Sequence, residues 1–141
     1  MINFFPGIQS TASALTAERV RMEVVSQNIA NANTTRGLDG KPYQRQQAVF
    51  ETELQNAGAG LAGGPQTLHV ARIETDHRAP RLVYDPGHPD ANADGMVAVP
   101  DINIHEEMAD LIVSSRAFEA NLAVVKNARQ MALQSLNIGK R

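Results

Sequence analysis

The sequence predicts an α+β fold in which long N- and C-terminal helices pack as a coiled coil, with a small antiparallel β region between them. Apolar residues recur every seven positions near both ends of the 141-residue chain, and the middle, which is divided by glycine and proline, lacks that repeat. A seven-residue repeat places apolar side chains on one stripe of a helix, which is stable against another helix. We therefore predict an N-terminal coiled-coil helix (1–36), a β-rich middle (37–100) with a flexible glycine-rich loop (58–65), and a C-terminal coiled-coil helix (101–141).

The first helix is predicted over residues 8 to about 33. Pro6 can occupy its first turn, because proline lacks the N–H that would be unpaired there anyway. No breaker follows for about 25 residues, and several alanines favour helix. Asparagine, threonine and Gly37 then favour a cap or turn. The predicted stripe consists of Ile8, Leu15, Met22 and Ile29.

The middle region is predicted to contain four short strands. Asp39-Gly40 is a strong turn signal, and Pro42 favours an extended conformation for the residue before it, so a strand is expected over 43–50. Further strands are predicted at 68–74, at 81–84, and at 96–99 after the turn signal Asp94-Gly95. The number and shortness of these segments predict a small antiparallel sheet region.

The last helix is predicted over residues 104 to about 137. Asn103 and Glu106 have the spacing of a capping box, with asparagine in place of serine or threonine. Glu106 and Glu107 suit the positive end of the helix dipole, and we interpret both as solvated. The predicted apolar stripe and its adjoining positions are Met108, Leu111, Phe118, Leu122, Val125, Ala132 and Leu136.

The two stripes leave two alternatives open. The helices can pack on each other within one monomer as an antiparallel hairpin, or they can pack against neighbouring subunits. Arg19, Ser115 and Arg129 fall among the apolar positions. Because polar interruptions often fix register against defined partners, we favour assembly and predict that both stripes form an assembly interface.

Composition excludes several classes of function. The net charge of −2, without a clustered basic face, gives no reason to expect nucleic-acid binding. The absence of cysteine excludes disulfides and thiolate zinc sites. No apolar run is long enough to span a bilayer, and no basic segment precedes an apolar one at the start, so we expect neither membrane insertion nor a cleaved signal peptide.

One segment resembles a metal site. Asp90, Asn92 and Asp94 supply oxygen atoms at the spacing of a calcium loop, followed by Gly95. Several prolines before this segment prevent an entering helix, so we interpret it as a polar turn. The chain has no Gly-x-Ser-x-Gly elbow and no phosphate loop. We expect no catalytic site, no metal site and no cofactor.

A family resemblance covers nearly the whole chain in order. Residues 26–34, Ser-Gln-Asn-Ile-Ala-Asn-Ala-Asn-Thr, resemble the N-terminal signature of the bacterial flagellar axial proteins, which form the rod and hook. Residues 39–50, 82–100 and 114–121 resemble the rod proteins of that family. The family motif residues are Ser26, Asn28, Asn31, Asn33, Thr34, Gly40, Pro42, Tyr43, Arg116 and Asn121.

The resemblance implies a non-enzymatic subunit of the proximal rod of the flagellar basal body, polymerised through its terminal helices into a torque-transmitting shaft. It implies as partners other rod proteins, copies of the same chain, the export apparatus and other basal-body components. It also implies a position in the periplasm, reached through the flagellar type III export channel. The alternatives are another rod or hook subunit, a soluble coiled-coil adaptor, and a calcium-binding protein.

Overall fold

The fold is α+β, as predicted, and the residues that the structure describes form two long helices with four strands between them. The computed structural model describes residues 6–37, 39–54 and 66–138. In chain order the elements are α1 (Pro6–Ala30), β1 (Gln46–Leu54), β2 (Gln66–Thr75), β3 (Arg81–Tyr84), β4 (Met96–Val99) and α2 (Ile104–Ile138). The predicted glycine-rich loop at 58–65 lies outside the described residues, and the division into three regions stays a prediction.

The two long helices pack against each other as an antiparallel hairpin. Near the β region, the Arg21 guanidinium of α1 lies 3.5 Å from the Asp110 carboxylate of α2. At the far end of the hairpin, Ile8 of α1 and Leu136 of α2 line the same groove. Within one chain, the helices therefore pack as the antiparallel hairpin that was one of the two predicted alternatives. Assembly through the faces that this packing leaves exposed stays a prediction.

Helix α1 ends at Ala30, three residues before the predicted end, and residues 31–33 form a turn. The Asn31 side-chain amide donates to the Gln27 carbonyl oxygen at 2.9 Å, and the Thr34 backbone N–H donates to the Asn31 carbonyl oxygen at 3.0 Å. Asparagine side chains compete for backbone groups in this way, which favours turns over helix interiors. The earlier end follows from that local competition.

Helix α2 begins with the predicted cap. The Asn103 side-chain oxygen accepts from the His105 backbone N–H at 3.1 Å, and the Asn103 amide donates to the Glu106 carboxylate at 2.9 Å. In a standard capping box the glutamate instead bonds the backbone N–H of the capping residue. The Asn103 amide, which serine and threonine lack, explains this variant.

The strands form two separate antiparallel pairs, β1 with β2 and β3 with β4. The predicted bounds of β3 and β4 are confirmed, and their register places Arg81 opposite Val99 and Tyr84 opposite Met96. The prediction of 43–50 for β1 is wrong at both ends, since β1 spans Gln46–Leu54. Tyr43 is not part of the ladder because its backbone N–H donates to the Thr34 carbonyl oxygen at 3.1 Å.

The turn between β3 and β4 requires glycine at position 95. Gly95 has a φ of +73°, and a Cβ atom there would lie 3.0 Å from Cε2 of Tyr84. A positive φ is strained for residues with a side chain, and the close ring leaves no room for one. The predicted signal Asp94-Gly95 therefore identifies the turn correctly.

The core is small and contains polar side chains. Its buried apolar residues are Ala17, Val24, Val25, Ala32, Ala48 and Val97. Asn28, Glu107 and Ser114 are also buried, each no more than 1% exposed. Buried polar groups are costly unless they are hydrogen-bonded, so their partners decide whether they stabilise this fold.

Candidate functional site

A buried hydrogen-bonded cluster joins α1, the segment before β1, and α2. We call Asn28, Tyr43, Arg45 and Glu107 the polar cluster. The Asn28 amide donates to the Gln46 carbonyl oxygen at 2.8 Å and to Oε2 of Glu107 at 3.0 Å. Oδ1 of Asn28 accepts from the Gln46 backbone N–H at 2.9 Å and from the Tyr43 hydroxyl at 3.0 Å. The full bonding capacity of the Asn28 side chain is therefore used.

Glu107 and Arg45 form the charged part of the polar cluster. Nε of Arg45 donates to Oε1 of Glu107 at 2.6 Å, and the Glu107 side chain is 2% exposed against 22% for Arg45. A short bond between two ionised groups is stronger than a neutral one. The interpretation of Glu107 as a solvated residue is wrong, because its carboxylate is buried and bonded through both oxygen atoms.

The polar cluster raises the pKa of the Tyr43 hydroxyl above its ordinary value of 10.0, first through burial and then through the negative charge of Glu107. The folded state then keeps this proton at a pH where the unfolded state releases it. The contribution of the protonated Tyr43 hydroxyl to the free energy of unfolding is complete below about pH 10. This contribution is lost as the pH rises through the folded-state pKa of Tyr43.

We expect Tyr43→Phe to remove part of this alkaline loss of stability, because phenylalanine has no hydroxyl to ionise. The free energy of unfolding, measured by urea denaturation at pH 8 and at successive values above about 10, tests this for both chains. Tyr84→Phe is the control, because the Tyr84 side chain is exposed on β3. Equal alkaline slopes for Tyr43→Phe and the unmodified chain would contradict the prediction.

Most residues of the predicted assembly interface are half-buried in this chain. The half-buried members are Ile8, Leu15, Met22, Ile29, Leu111, Phe118, Leu122, Val125 and Ala132. Met108 and Leu136 are 51% and 65% exposed. These two therefore keep the largest free surface among the predicted interface residues.

Helix α2 exposes a larger apolar surface than the stripe predicted. Its exposed large apolar residues are Ile104, Met108, Ile112, Val113, Val124, Met131, Leu133, Leu136 and Ile138. The sequence prediction named only Met108 and Leu136 of these residues, because it was limited to the seven-residue stripe and the positions adjoining it. The sequence feature that could have identified them is that α2 is apolar on several sides, which is typical of a buried helix. The hairpin covers one of those sides.

The family motif residues lie around the end of α1 and on α2. Asn28 and Tyr43 belong to the polar cluster, and the Thr34 hydroxyl donates to Oδ1 of Asn31 at 3.2 Å. Pro42 and Asn121 are half-buried, whereas the exposed members are Ser26, Asn33, Gly40 and Arg116. The structure thus gives a hydrogen-bonding role to Asn28, Asn31, Thr34 and Tyr43. Gly40 has a φ of +76°, and its backbone N–H donates to the Gly37 carbonyl oxygen at 3.1 Å, so it serves the turn before Pro42.

The calcium-like segment is held by contacts within the protein. Oδ1 of Asn92 accepts from two backbone N–H groups of the turn at 3.0 and 2.9 Å. The Asp90 carboxylate accepts from the Thr35 hydroxyl at 2.9 Å and lies 3.4 Å from the Arg36 guanidinium. These bonds favour the polar turn over a metal site. Within the described residues no group of three potential metal ligands comes together.

Neither helix, over the part of the chain that the structure describes, combines the length and apolar character needed to cross a membrane.

Comparison with known proteins decides the family. The flagellar basal-body rod protein FlgC of Bacillus subtilis is 40% identical, and the alignment covers 96% of this chain and 98% of that protein. FlgC of Borreliella burgdorferi is 38% identical, with coverage of 97% and 98%. FlgC of Escherichia coli O157:H7 is 38% identical, with coverage of 91% and 92%. The chain belongs to the FlgC family of flagellar basal-body rod proteins.

Two broader families match the ends of this FlgC-family chain. Residues 8–36 match "Flagella basal body rod protein", and residues 93–138 match "Flagellar basal body rod FlgEFG protein C-terminal". The first match covers most of α1, and the second contains all of α2. The resemblance predicted from sequence is confirmed. This chain is a structural subunit of the flagellar basal-body rod, a part that assembles from rod proteins.

Proposed function

We propose that this FlgC-family subunit belongs to the proximal rod and polymerises through its helical hairpin into the shaft that transmits torque. The observation that carries the proposal is the apolar surface of α2, where Val113, Met131 and Leu136 are 56%, 61% and 65% exposed. Large exposed apolar patches mark interaction sites on soluble proteins. Neighbouring rod subunits, including copies of this chain, are the partners that this surface fits.

The size of this surface suits contact with several neighbours. Burying a large apolar side chain completely contributes about 1.5 to 3 kcal/mol, so residues already half-covered contribute about 1 kcal/mol each. Association costs about 4 to 15 kcal/mol of translational and rotational freedom and side-chain ordering. Nine such residues contribute about 9 kcal/mol together, which is comparable with that cost, and their spread around α2 favours several simultaneous contacts. Many contacts per subunit are what a shaft under torsion requires.

The remaining parts of the proposal are supported by membership in the rod family. We place the subunit in the periplasmic part of the basal body, reached through the flagellar type III channel. Its other proposed partners are the export apparatus and the adjoining basal-body components, with no nucleic acid and no membrane insertion. A non-enzymatic role is supported by the names of its relatives and of the matching family, which are those of basal-body rod proteins.

We expect the double variant Val113→Glu with Leu133→Glu to abolish motility and rod completion while the monomer still folds. Both side chains are more than half exposed in the monomer, at 56% and 52%, so the charges stay solvated there. In an assembled rod the same charges would be desolvated at helix contacts. Motility and electron microscopy of basal bodies are measured in cells lacking their own copy of this gene.

Ala123→Glu is the matched control, because it adds the same charge at an exposed position of α2. We expect it to retain motility. Normal rods containing the double variant would contradict the role of the α2 surface. Absence of the unmodified chain from isolated basal bodies, or its presence only outside the proximal rod, would contradict the proposed position and favour a soluble adaptor or another axial subunit.

A further inference from the structure

Strand β3 has one open edge. All four of its residues are exposed, with Leu82 at 58% and Tyr84 at 69%. Its pairing with β4 occupies one edge, and no other helix or strand among the described residues packs on β3. We call the opposite edge the β3 edge. An open edge presents N–H and C=O groups that can bond another strand.

The bonds of the neighbouring turn identify which main-chain groups lie on the β3 edge. The Asp85 backbone N–H donates to the Gly95 carbonyl oxygen at 2.9 Å, so these residues form a hydrogen-bonded pair of the ladder. Bonded and non-bonded pairs alternate in antiparallel strands. Val83 therefore bonds β4, whereas Leu82 and Tyr84 direct their N–H and C=O groups to the β3 edge.

Two other strand edges of this protein are closed by asparagine. Met96 lies opposite Tyr84, so its main-chain groups face the outer edge of β4. The Met96 N–H donates to Oδ1 of Asn92 at 2.9 Å, and the Asn92 N–H donates to the Met96 carbonyl oxygen at 2.9 Å. The Asn28 amide bonds both main-chain groups of Gln46 at the start of β1. Within the described part of the chain, no group closes the β3 edge in this way, so strand addition can occur there.

Two prolines set the length of the β3 edge. Pro80 and Pro86 flank residues 81–85, and proline cannot donate a ladder bond. The segment available for pairing therefore has Val83 at its centre. This symmetry matters because antiparallel pairing of the segment with a second copy of itself places equal distances from the centre opposite each other.

We propose that the β3 edge pairs antiparallel with the β3 edge of a second copy, which joins the two β3–β4 sheets into one. With the two Val83 residues at the centre, Leu82 lies opposite Tyr84 of the other copy, and the main-chain groups that face the edge meet as hydrogen-bonded pairs. Arg81 lies opposite Asp85 of the other copy, and both side chains are exposed. Apolar pairs and opposite charges facing each other across strands stabilise a sheet. The segment thus satisfies its own hydrogen bonds, apolar contacts and charges.

The contact is distinct from those of the proposed function. Both copies use the same patch, so the contact closes on itself and produces a dimer. A closed contact cannot extend a shaft, so we assign it to the free subunit before assembly. It includes no residue of α2 and does not depend on the proposed function. Because the edge is short, we expect the dimer at high protein concentration.

Disulfide cross-linking of the purified full chain tests this pairing, because the chain has no cysteine of its own. The two Val83 residues would form a non-bonded pair with Cα atoms about 4.5 Å apart, which a disulfide can span. The two Leu82 residues would be offset along the strands, with Cα atoms more than about 7 Å apart, which a disulfide cannot span. After mild oxidation, we expect about tenfold or more covalent dimer from Val83→Cys than from Leu82→Cys on a non-reducing gel. Leu82 is the more exposed of the two, at 58% against 39%, so random collision would favour the control.

Each outcome decides the proposal. Equal yields from the two variants, a larger yield from Leu82→Cys, or no dimer from either would overturn it. Circular dichroism establishes that both variants keep the fold. If Val83→Cys does not fold, Leu82→Cys is mixed with Tyr84→Cys, because these positions lie opposite each other in the proposed pairing, about 5.5 Å apart. More dimer from the mixture than from either variant alone then supports the contact, and no excess overturns it.

Discussion

Glu107→Ala is expected to destabilise the fold by about 3 kcal/mol or more. Removing one partner of a buried ion pair typically costs about 3 to 5 kcal/mol, because the remaining charge stays desolvated without compensation. Arg45 is 22% exposed and can regain some water, which places the cost toward the lower end. The Asn28 amide also loses one acceptor. Urea denaturation followed by circular dichroism measures the change in the free energy of unfolding.

The adjacent residue provides the control for that prediction. Glu106 is exposed and accepts one bond from the Asn103 amide at 2.9 Å. Glu106→Ala therefore keeps the backbone bond from His105 to Asn103 and is expected to cost no more than about 0.5 kcal/mol, as for most surface substitutions. Similar losses for the two variants would mean that Glu107 contributes through helix capping and not through the polar cluster.

Local sequence signals predicted most of the fold. The bounds of β3 and β4 follow from a turn whose conformation few residues other than glycine accept, since Gly95 has a positive φ. The bounds of β1 could not be read in the same way, because the chain leaves Tyr43 extended before the ladder begins at Gln46. An extended backbone and a paired strand have the same local preferences. The distinction depends on which distant group accepts the Tyr43 N–H.

The polar cluster was only partly accessible from the sequence. Asn28 is four residues after the buried Val24, and Glu107 is four residues before Leu111, so both fall on apolar helix faces. That placement is a signal for burial. Their partners could not be predicted, because Asn28 and Glu107 are 79 positions apart and the segment from Tyr43 to Gln46 joins them from a third element. Pairing of this kind depends on the tertiary fold.

The polar cluster also bears on assembly. Apolar stripes alone tolerate sliding of one helix along another, whereas a buried polar contact holds one register. The bond between Asn28 and Glu107 fixes α1 against α2 near the β region. The groove lined by Ile8 and Leu136 lies at the other end, between residues of both helices, so its shape depends on that register.

Asn28→Ala is expected to cost about 3 kcal/mol or more, because it leaves the Gln46 N–H and carbonyl, the Tyr43 hydroxyl and Oε2 of Glu107 without the Asn28 partner they have in the buried cluster. Each unsatisfied buried group costs about 1 to 3 kcal/mol, and partial access of water to Tyr43 reduces the sum. A double-mutant cycle with Tyr43→Phe separates the shared bond from the rest. Because the hydroxyl of Tyr43 bonds Oδ1 of Asn28, the double variant should lose about 1 kcal/mol less than the sum of the single losses.

Asn31→Ala is the control, since Asn31 bonds locally to Gln27 and Thr34 and its loss of stability should add independently to that of Tyr43→Phe. Strict additivity for Asn28→Ala with Tyr43→Phe would show that the hydroxyl contributes nothing through Asn28, and the polar cluster would then reduce to the contacts among Asn28, Gln46, Glu107 and Arg45.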